Sequence, residues 1–315
     1  MVSSFHLFSV DSSITTIINN ALILIYLSLS TAAIASRFVP FLQELARHGK
    51  TRQSPENNKG AGTAIALTKP SSSQSPSASF QQTVLPDVTV PKRFFLHFYV
   101  WGTLCTCICL LVRCNYNDDN PHHHHVSIFV LTLVHLLRRI YECCRVHVWR
   151  PDSRMHVAGY ALGLMHYTLV SLTVYCSSHY HDHNQYNNNS IATTVSFVAG
   201  VMICLYGQVQ QHRHHVLLAN LRRQHNNDTN NNNNSYTVPS GAWFDWVVCP
   251  HYLAEIVVYL GFATVLGWTG PASTMVLWVG TNLTVSAWHT YDWYARNNYT
   301  QRYLGSRCAI VPFCW

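Results

Sequence analysis

The stretch Tyr236–Gly261, YTVPSGAWFDWVVCPHYLAEIVVYLG, sets an ionisable pair at the mouth of an apolar helix. Pro250 fits the first turn of a helix, where a missing N–H costs nothing. His251 and Glu255 stand four apart and so share one helix face. Behind Glu255 runs Ile256-Val257-Val258-Tyr259-Leu260, a segment that reads as entering a membrane. A charge there costs about 2.5–3.5 kcal/mol on translocon scales and by default marks a site or a pathway. A functional role for Glu255 is therefore preferred to a structural pairing with a buried arginine.

The rest of the chain fits that reading. Of its 315 residues 48% are hydrophobic and only 10% are charged, against about 25% charged in an ordinary soluble domain. Long uncharged runs recur, and they predict an all-α fold, a polytopic membrane bundle of about seven transmembrane helices. The runs fall at 14–36, 94–112, 126–137, 157–177, 191–207, 252–268 and 273–288. The third is short and runs into Arg138 and Arg139. The first lacks a basic leading region and is long enough to span, so it reads as an anchor rather than a cleaved signal. With seven spans, nineteen of the twenty Lys and Arg residues fall on one side and Arg113 alone on the other. The positive-inside rule then puts the N-terminus in the lumen and the C-terminus in the cytosol. The net charge of +7 is thus mostly a topology signal, and no basic face for nucleic acid stands out.

Four regions follow along the chain. Residues 1–53 hold the first span and the motif after it, and 54–89 form a low-complexity linker expected to be disordered. Residues 90–210 hold the central spans, and 211–315 form the C-terminal, cofactor-binding region. The eleven cysteines lie mostly in or beside apolar runs, where Cys acts as a small hydrophobe. His122–His125 and His179, His181 and His183 lack a partner set at ligand spacing, so no metal site is expected. The sequon at Asn188 lies in an expected luminal loop. Those at Asn227, Asn233 and Asn298 lie on the expected cytosolic side.

Ionisable side chains at membrane edges make the list of candidate site residues. Gln43 and Glu44 follow the first span, and His135, Arg138, Arg139 and Glu142 stand together in HLLRRIYEC. Gln211, His215 and Arg222 lie in QHRHHVLLANLRR. Tyr236, His251, Tyr252 and Glu255 follow, then Tyr303 and Arg307. Nearly all map to the cytosolic half. Arginines, amides and tyrosines facing an apolar bundle suit a phosphate-rich soluble cofactor, since the guanidinium fork recognises phosphate. They suit equally an apolar substrate arriving from the bilayer. Periodicity and charge do not say which cofactor.

The ordered motifs are similar to those of the steroid 5α-reductase family, and within it to the branch that acts on polyprenals. The resemblance rests on QEL at Gln43–Leu45, RHGKTR at Arg47–Arg52, VPKRFFLHFY at Val90–Tyr99 and HLLRRIYEC at His135–Cys143. It continues through GLMHYTLVSLTV at Gly163–Val174, HVLLANLR at His215–Arg222, VPSGAWFDWVVCPHYLAEIVVY at Val238–Tyr259 and RCAIVPF at Arg307–Phe313. It implies NADPH held in the cytosolic half of a seven-span bundle in the endoplasmic reticulum. It implies reduction of a carbon–carbon double bond conjugated to a carbonyl, with a long-chain polyprenal lipid as substrate on the way to dolichol for protein glycosylation. By position, Glu44 with Gln43 matches the catalytic residues at the substrate carbonyl. Gln211, His215, Arg222, Tyr236, His251, Tyr252 and Glu255 match cofactor-binding positions. Arg139, Tyr303 and Arg307 fit cofactor roles. Three positions depart from the pattern. Leu136 stands where steroid-reducing members carry a tyrosine, which favours the polyprenal branch. Thr237 replaces an arginine of the cofactor loop. The last-span motif reads Tyr291-Asp292-Trp293-Tyr294, with His289 upstream. A 3-oxo-Δ4-steroid 5α-reductase, an isoprenylcysteine methyltransferase-like enzyme using S-adenosylmethionine and a His-rich metal-handling membrane protein stand as alternatives.

Overall fold

The computed structural model describes residues 12–38, 88–115, 123–185, 191–227, 238–297, 303–305 and 307–310. For residues 12, 123–125, 179–185 and 225–227 this covers the backbone only. Gln43, Glu44 and Tyr236, the sequon at Asn188 and nearly all of the expected linker lie outside the described residues.

Seven α-helices are present among them: α1 (Ser12–Ala35), α2 (Phe95–Asn115), α3 (His123–Tyr141), α4 (Val157–Gln185), α5 (Ile191–Asn227), α6 (Pro250–Val265) and α7 (Gly270–Arg296). They overlie the seven apolar runs. Four stretches are long and apolar enough to cross a membrane on their own, Ser13–Ala35, Lys92–Asn115, Val157–Ser178 and Ile191–Gln224. Helix α6 has only 16 residues, short of the roughly 20 that a span needs. Helix α3 carries His135, Arg138 and Arg139, and helix α7 carries Asn282, His289 and Asp292, within or just after their apolar runs. Two of these three helices, α3 and α6, carry charge into the interior.

Local sequence sets the ends of α6. It starts at Pro250 with Cys249 as N-cap, where proline's fixed φ suits the first turn. It stops in a left-handed turn at Gly267 (φ 66°) and Trp268 (φ 54°). Trp268 N–H reaches back to Ala263 O at 2.8 Å and Gly267 N–H to Thr264 O at 3.3 Å, the paired bonds of a Schellman cap. Helix α7 then begins at Gly270 with Pro271 in its first turn.

Helices α5 and α6 make the most extensive interhelical contact of the bundle. A Cβ at Gly261 would lie 2.5 Å from Cys204 N, and one at Gly207 would lie 2.8 Å from Val258 N. Backbone meets backbone there because neither glycine has a side chain, which is how membrane helices gain packing without a hydrophobic drive.

Apolar side chains from α1, α3, α4, α5, α6 and α7 pack around Tyr26, Phe129, Val174, Tyr259, Phe262 and Met275 as one core. A second cluster joins Phe98, Tyr99, Leu136 and Tyr167 across α2, α3 and α4. A third joins Tyr252 on α6 and Tyr294 on α7 to Tyr303, Leu304 and Ile310 of the C-terminal segment. Two short strands, β1 (Thr89–Pro91) and β2 (Arg154–His156), pair antiparallel with Val90 opposite Met155. They tie the entry of α2 to that of α4. The C-terminal segment is pinned to the entry of α6 by Val248 N–H to Cys308 O at 2.9 Å and Cys308 N–H to Trp246 O at 3.1 Å.

Candidate active site

The polar residues of α3, α5 and α6 occupy the ends of those helices that lie beyond the main core. On α3 the core residues Ile128, Phe129 and Leu131 give way to His135, Arg138 and Arg139. On α5 Cys204 gives way to Gln208, Gln211 and His215. On α6, which runs the other way, Glu255 precedes Val258 and Tyr259. Three helices thus bring a polar layer to one depth of the bundle.

Glu142 is its centre. It follows Arg138 and Arg139 by four and three residues, so the helix lays the carboxylate against both guanidinium groups. Arg138 bonds Glu142 Oε1 and Arg139 bonds Oε2. His212 adds a contact at 2.9 Å and His215 one at 2.8 Å. His215 Nδ1 also lies 2.9 Å from Arg139 Nη1. One nitrogen cannot donate to the acid and accept from the arginine at once. The shorter contact, with the carboxylate charge behind it, takes the proton. Arg139 further donates to Tyr99 Oη at 2.6 Å and lies over the Tyr99 ring at 4.8 Å.

A second branch leads to α6. Arg138 bonds Gln211, and Gln211 in turn donates to Glu255. His135 Nε2 lies 3.6 Å from the other oxygen of Glu255. Arg138 Nε donates to Gln208 Oε1 at 3.3 Å. Glu255 is therefore linked to an arginine through an amide. Two carboxylates offset two guanidinium groups, which meets the demand that buried charges be paired.

Glu142 sits beyond the end of α3 with no exposed surface. Burial by itself would raise its carboxyl, but the His215 hydrogen bond and the charges of Arg139 and Arg138 outweigh that and hold it well below the usual carboxylate range. Burial, then His215 and Arg139, push the His147 imidazole down to about 2. Glu142, His147 and His215 offer ligand atoms within 4.8 Å of one another. Both oxygens of Glu142 are already held by guanidinium groups, and a cation placed there would face two arginines.

Of the residues expected from sequence, the structure brings Arg139, Gln211, His215 and Glu255 into this layer. His251 adjoins it, its ring 5.7 Å from His215 and 4.3 Å from Tyr252. Arg222 lies two turns further along α5, bonded to the Val148 carbonyl at 3.2 Å. Tyr303 and Arg307 stand outside the layer, Tyr303 in the third cluster with Tyr252. The Arg307 guanidinium covers the Tyr303 ring at 4.2 Å and meets Asp245 at 3.5 Å. Arg138 and Glu142, candidates by sequence that matched no catalytic or cofactor position, stand at the centre of the layer, at the four-residue spacing HLLRRIYEC displays. Tyr99, Gln208 and His212 carried no such signal, because only tertiary packing brings them to the arginines.

Several buried polar atoms have no hydrogen-bond partner among the described residues. They include His251 Nδ1, both ring nitrogens of His214, and Arg307 Nη1. A buried polar group left unmade costs about 1–3 kcal/mol, so these atoms suit polar groups brought by a bound molecule. His214 lies against Trp243 at 5.2 Å, which puts two such histidines beside the entry of α6. The donor set is imidazole and guanidinium, which fits a phosphate-bearing nucleotide.

A helical bundle with four stretches apolar enough to cross a membrane and a buried layer of paired charges has the build of an integral-membrane protein with a polar site in its interior. A family model described as 3-oxo-5-alpha-steroid 4-dehydrogenase matches residues 154–315. Polyprenal reductase of Saccharomyces cerevisiae is 28% identical over 272 residues, covering 86% of each chain. Polyprenal reductase 1 of Arabidopsis thaliana is 31% identical, over 71% of this chain and 81% of its own. Polyprenal reductase of Homo sapiens is 27% identical, over 71% of this chain and 77% of its own. The chain belongs to the 3-oxo-5-alpha-steroid 4-dehydrogenase (steroid 5α-reductase) family and is an oxidoreductase acting on carbon–carbon double bonds.

Proposed function

We propose that this protein reduces the α,β-double bond of polyprenal to give dolichal, with NADPH as reductant, in the endoplasmic reticulum membrane on the route to dolichol. The observation that carries the reading is similarity to the yeast polyprenal reductase over 86% of both chains. Leu136 supports it. This side chain is 1% exposed in the α2–α4 cluster, so the hydroxyl that steroid-reducing members carry at this position is missing from the interior.

The residues divide by task. His251, His215, Arg222 and Tyr252 line the entry of α6 and take the nucleotide, with Tyr236, Tyr303 and Arg307 contributing from the flanking segments. Arg139, Gln211 and Glu255 form the floor of that site and would bound the cofactor on the side of the bundle interior. Bound NADPH supplies a hydride to the β-carbon. Glu44, with Gln43, polarises the carbonyl so that negative charge can develop on its oxygen, and a positioned acid of this kind is worth about 10²–10⁴ in rate. The apolar core around Tyr26, Phe129 and Phe262 excludes water from the reacting atoms. The N-terminus lies in the lumen and the C-terminus in the cytosol, where NADPH is met.

The test is NADPH consumption by the purified protein in detergent, with polyprenal and a Δ4-3-oxosteroid compared. Polyprenal should be turned over and the steroid should not; the reverse result would select steroid reduction. In the same assay Glu44→Gln should bind NADPH normally and turn over about 10²–10⁴-fold more slowly. Full turnover by that variant removes Glu44 from the carbonyl.

A further inference from the structure

Away from the arginine layer, side chains from three helices form a hydrogen-bond chain whose direction is set by their chemistry. Trp278 on α7 donates its Nε1–H to Nδ1 of His166 on α4 at 3.2 Å. An indole nitrogen only donates, so Nδ1 carries no proton and the neutral ring carries it on Nε2. That nitrogen lies 2.9 Å from Tyr259 Oη on α6. The Tyr259 oxygen is therefore the acceptor. Its own proton remains to be donated, and no acceptor is bonded to it among the described residues. The ring is held almost without exposed surface, edge-on to Phe262 at 5.7 Å and to His135 at 6.5 Å.

The place of this hydroxyl is as specific as its direction. Tyr259 follows Glu255 by one turn of α6, a rise of about 6 Å. Glu255 belongs to the polar layer and Tyr259 to the apolar core beyond it. The hydroxyl thus lies at the boundary between the polar layer and the apolar core, where the reactive head of a lipid would meet a cofactor held by the layer.

We infer that Tyr259 is a catalytic residue, donating a hydrogen bond to the carbonyl oxygen of the conjugated substrate, and that His166 and Trp278 are positioning residues that aim it. The inference rests on the reading of the reaction as reduction of a conjugated carbonyl compound. The carbonyl oxygen gains charge as hydride adds to the β-carbon, so a fixed donor there holds the transition state more tightly than the ground state. No proton leaves Tyr259 in this role. The His166 bond keeps the phenol oxygen occupied, so the hydroxyl can turn only toward the substrate.

The experiment measures turnover and NADPH binding for four variants of the full chain. Tyr259→Phe keeps the ring and removes the donor. Its kcat should fall about 10²–10³-fold, as for loss of one oxyanion donor, with NADPH affinity and KM near wild type. His166→Phe should lower kcat by a smaller factor, and Trp278→Phe likewise. His166→Gln should recover most of the rate, because its amide can accept from the indole and donate to the phenol. Tyr259→Phe with wild-type kcat overturns the inference. Should that variant lose its fold, seen as lost NADPH binding, the His166 pair decides: equal rates for His166→Gln and His166→Phe overturn it as well. Each variant is scored on whichever conjugated carbonyl compound the wild type turns over. A protein active on the steroid alone therefore refutes the polyprenal reading without touching Tyr259, and one active on neither refutes both.

Discussion

Glu142 shows what it takes to keep a carboxylate ionised without exposed surface. Four side chains reach its two oxygens. Removing one partner of such a buried set leaves the rest uncompensated, at a cost of about 3–5 kcal/mol. Glu142→Gln should lower the unfolding midpoint by roughly 10 °C, measured in detergent at neutral pH. The pH dependence follows from the sign of the shift. The unfolded carboxyl titrates near 4.3 and the folded one well below that, so its contribution is complete above this value and is lost as pH falls below it. The gap between wild type and variant should stay constant from pH 7 to about 5 and narrow below about 4. A gap that persists unchanged into acid would contradict the ionised state. The spacing that makes this cluster was legible in HLLRRIYEC. The histidines that complete it were not, because α5 lies some seventy residues away in sequence.

At the scale of the helix, the seam between α5 and α6 decides whether Glu255 joins the polar layer through Gln211. The link from Gln211 to Glu255 crosses it. Gly261→Ala would put a Cβ 2.5 Å from the Cys204 backbone, and forcing the helices apart should cost about 1–3 kcal/mol. It should also weaken NADPH binding, read by nicotinamide fluorescence. Gly280→Ala on α7 is the control, since nothing lies within 4 Å of a Cβ there, and it should leave both properties unchanged. Equal effects of the two substitutions would dismiss the seam. Pro250 announced the start of α6. Its stop at Gly267 and the role of Gly207 and Gly261 did not show in the sequence, because a glycine at a close approach and one in open space look alike there.

Across the whole molecule, the asymmetry of Lys and Arg and the depth of the polar layer have to agree. With the layer on the cytosolic side, glycan should attach at Asn188 and at neither Asn227 nor Asn298 when the chain is made in microsomes, read as an endoglycosidase-sensitive shift. Sugar on Asn298 would invert the bundle and move the cofactor entry to the lumen.

The sequence by itself determined that the chain is a helical bundle, roughly where each of the seven helices of the described residues begins, and that charge gathers at one end of several of them. Apolar runs and Lys and Arg counts are sums over local residues, so no fold is needed to read them. The order of motifs also carried the family. Only the tertiary structure decided which charges meet. Glu142 became a shared counter-ion, Glu255 an acid reached through Gln211, and Tyr259 a phenol with a directed proton. Each depends on helices distant in sequence packing at one depth, and the desolvation that makes these contacts matter arises only when they close around one another.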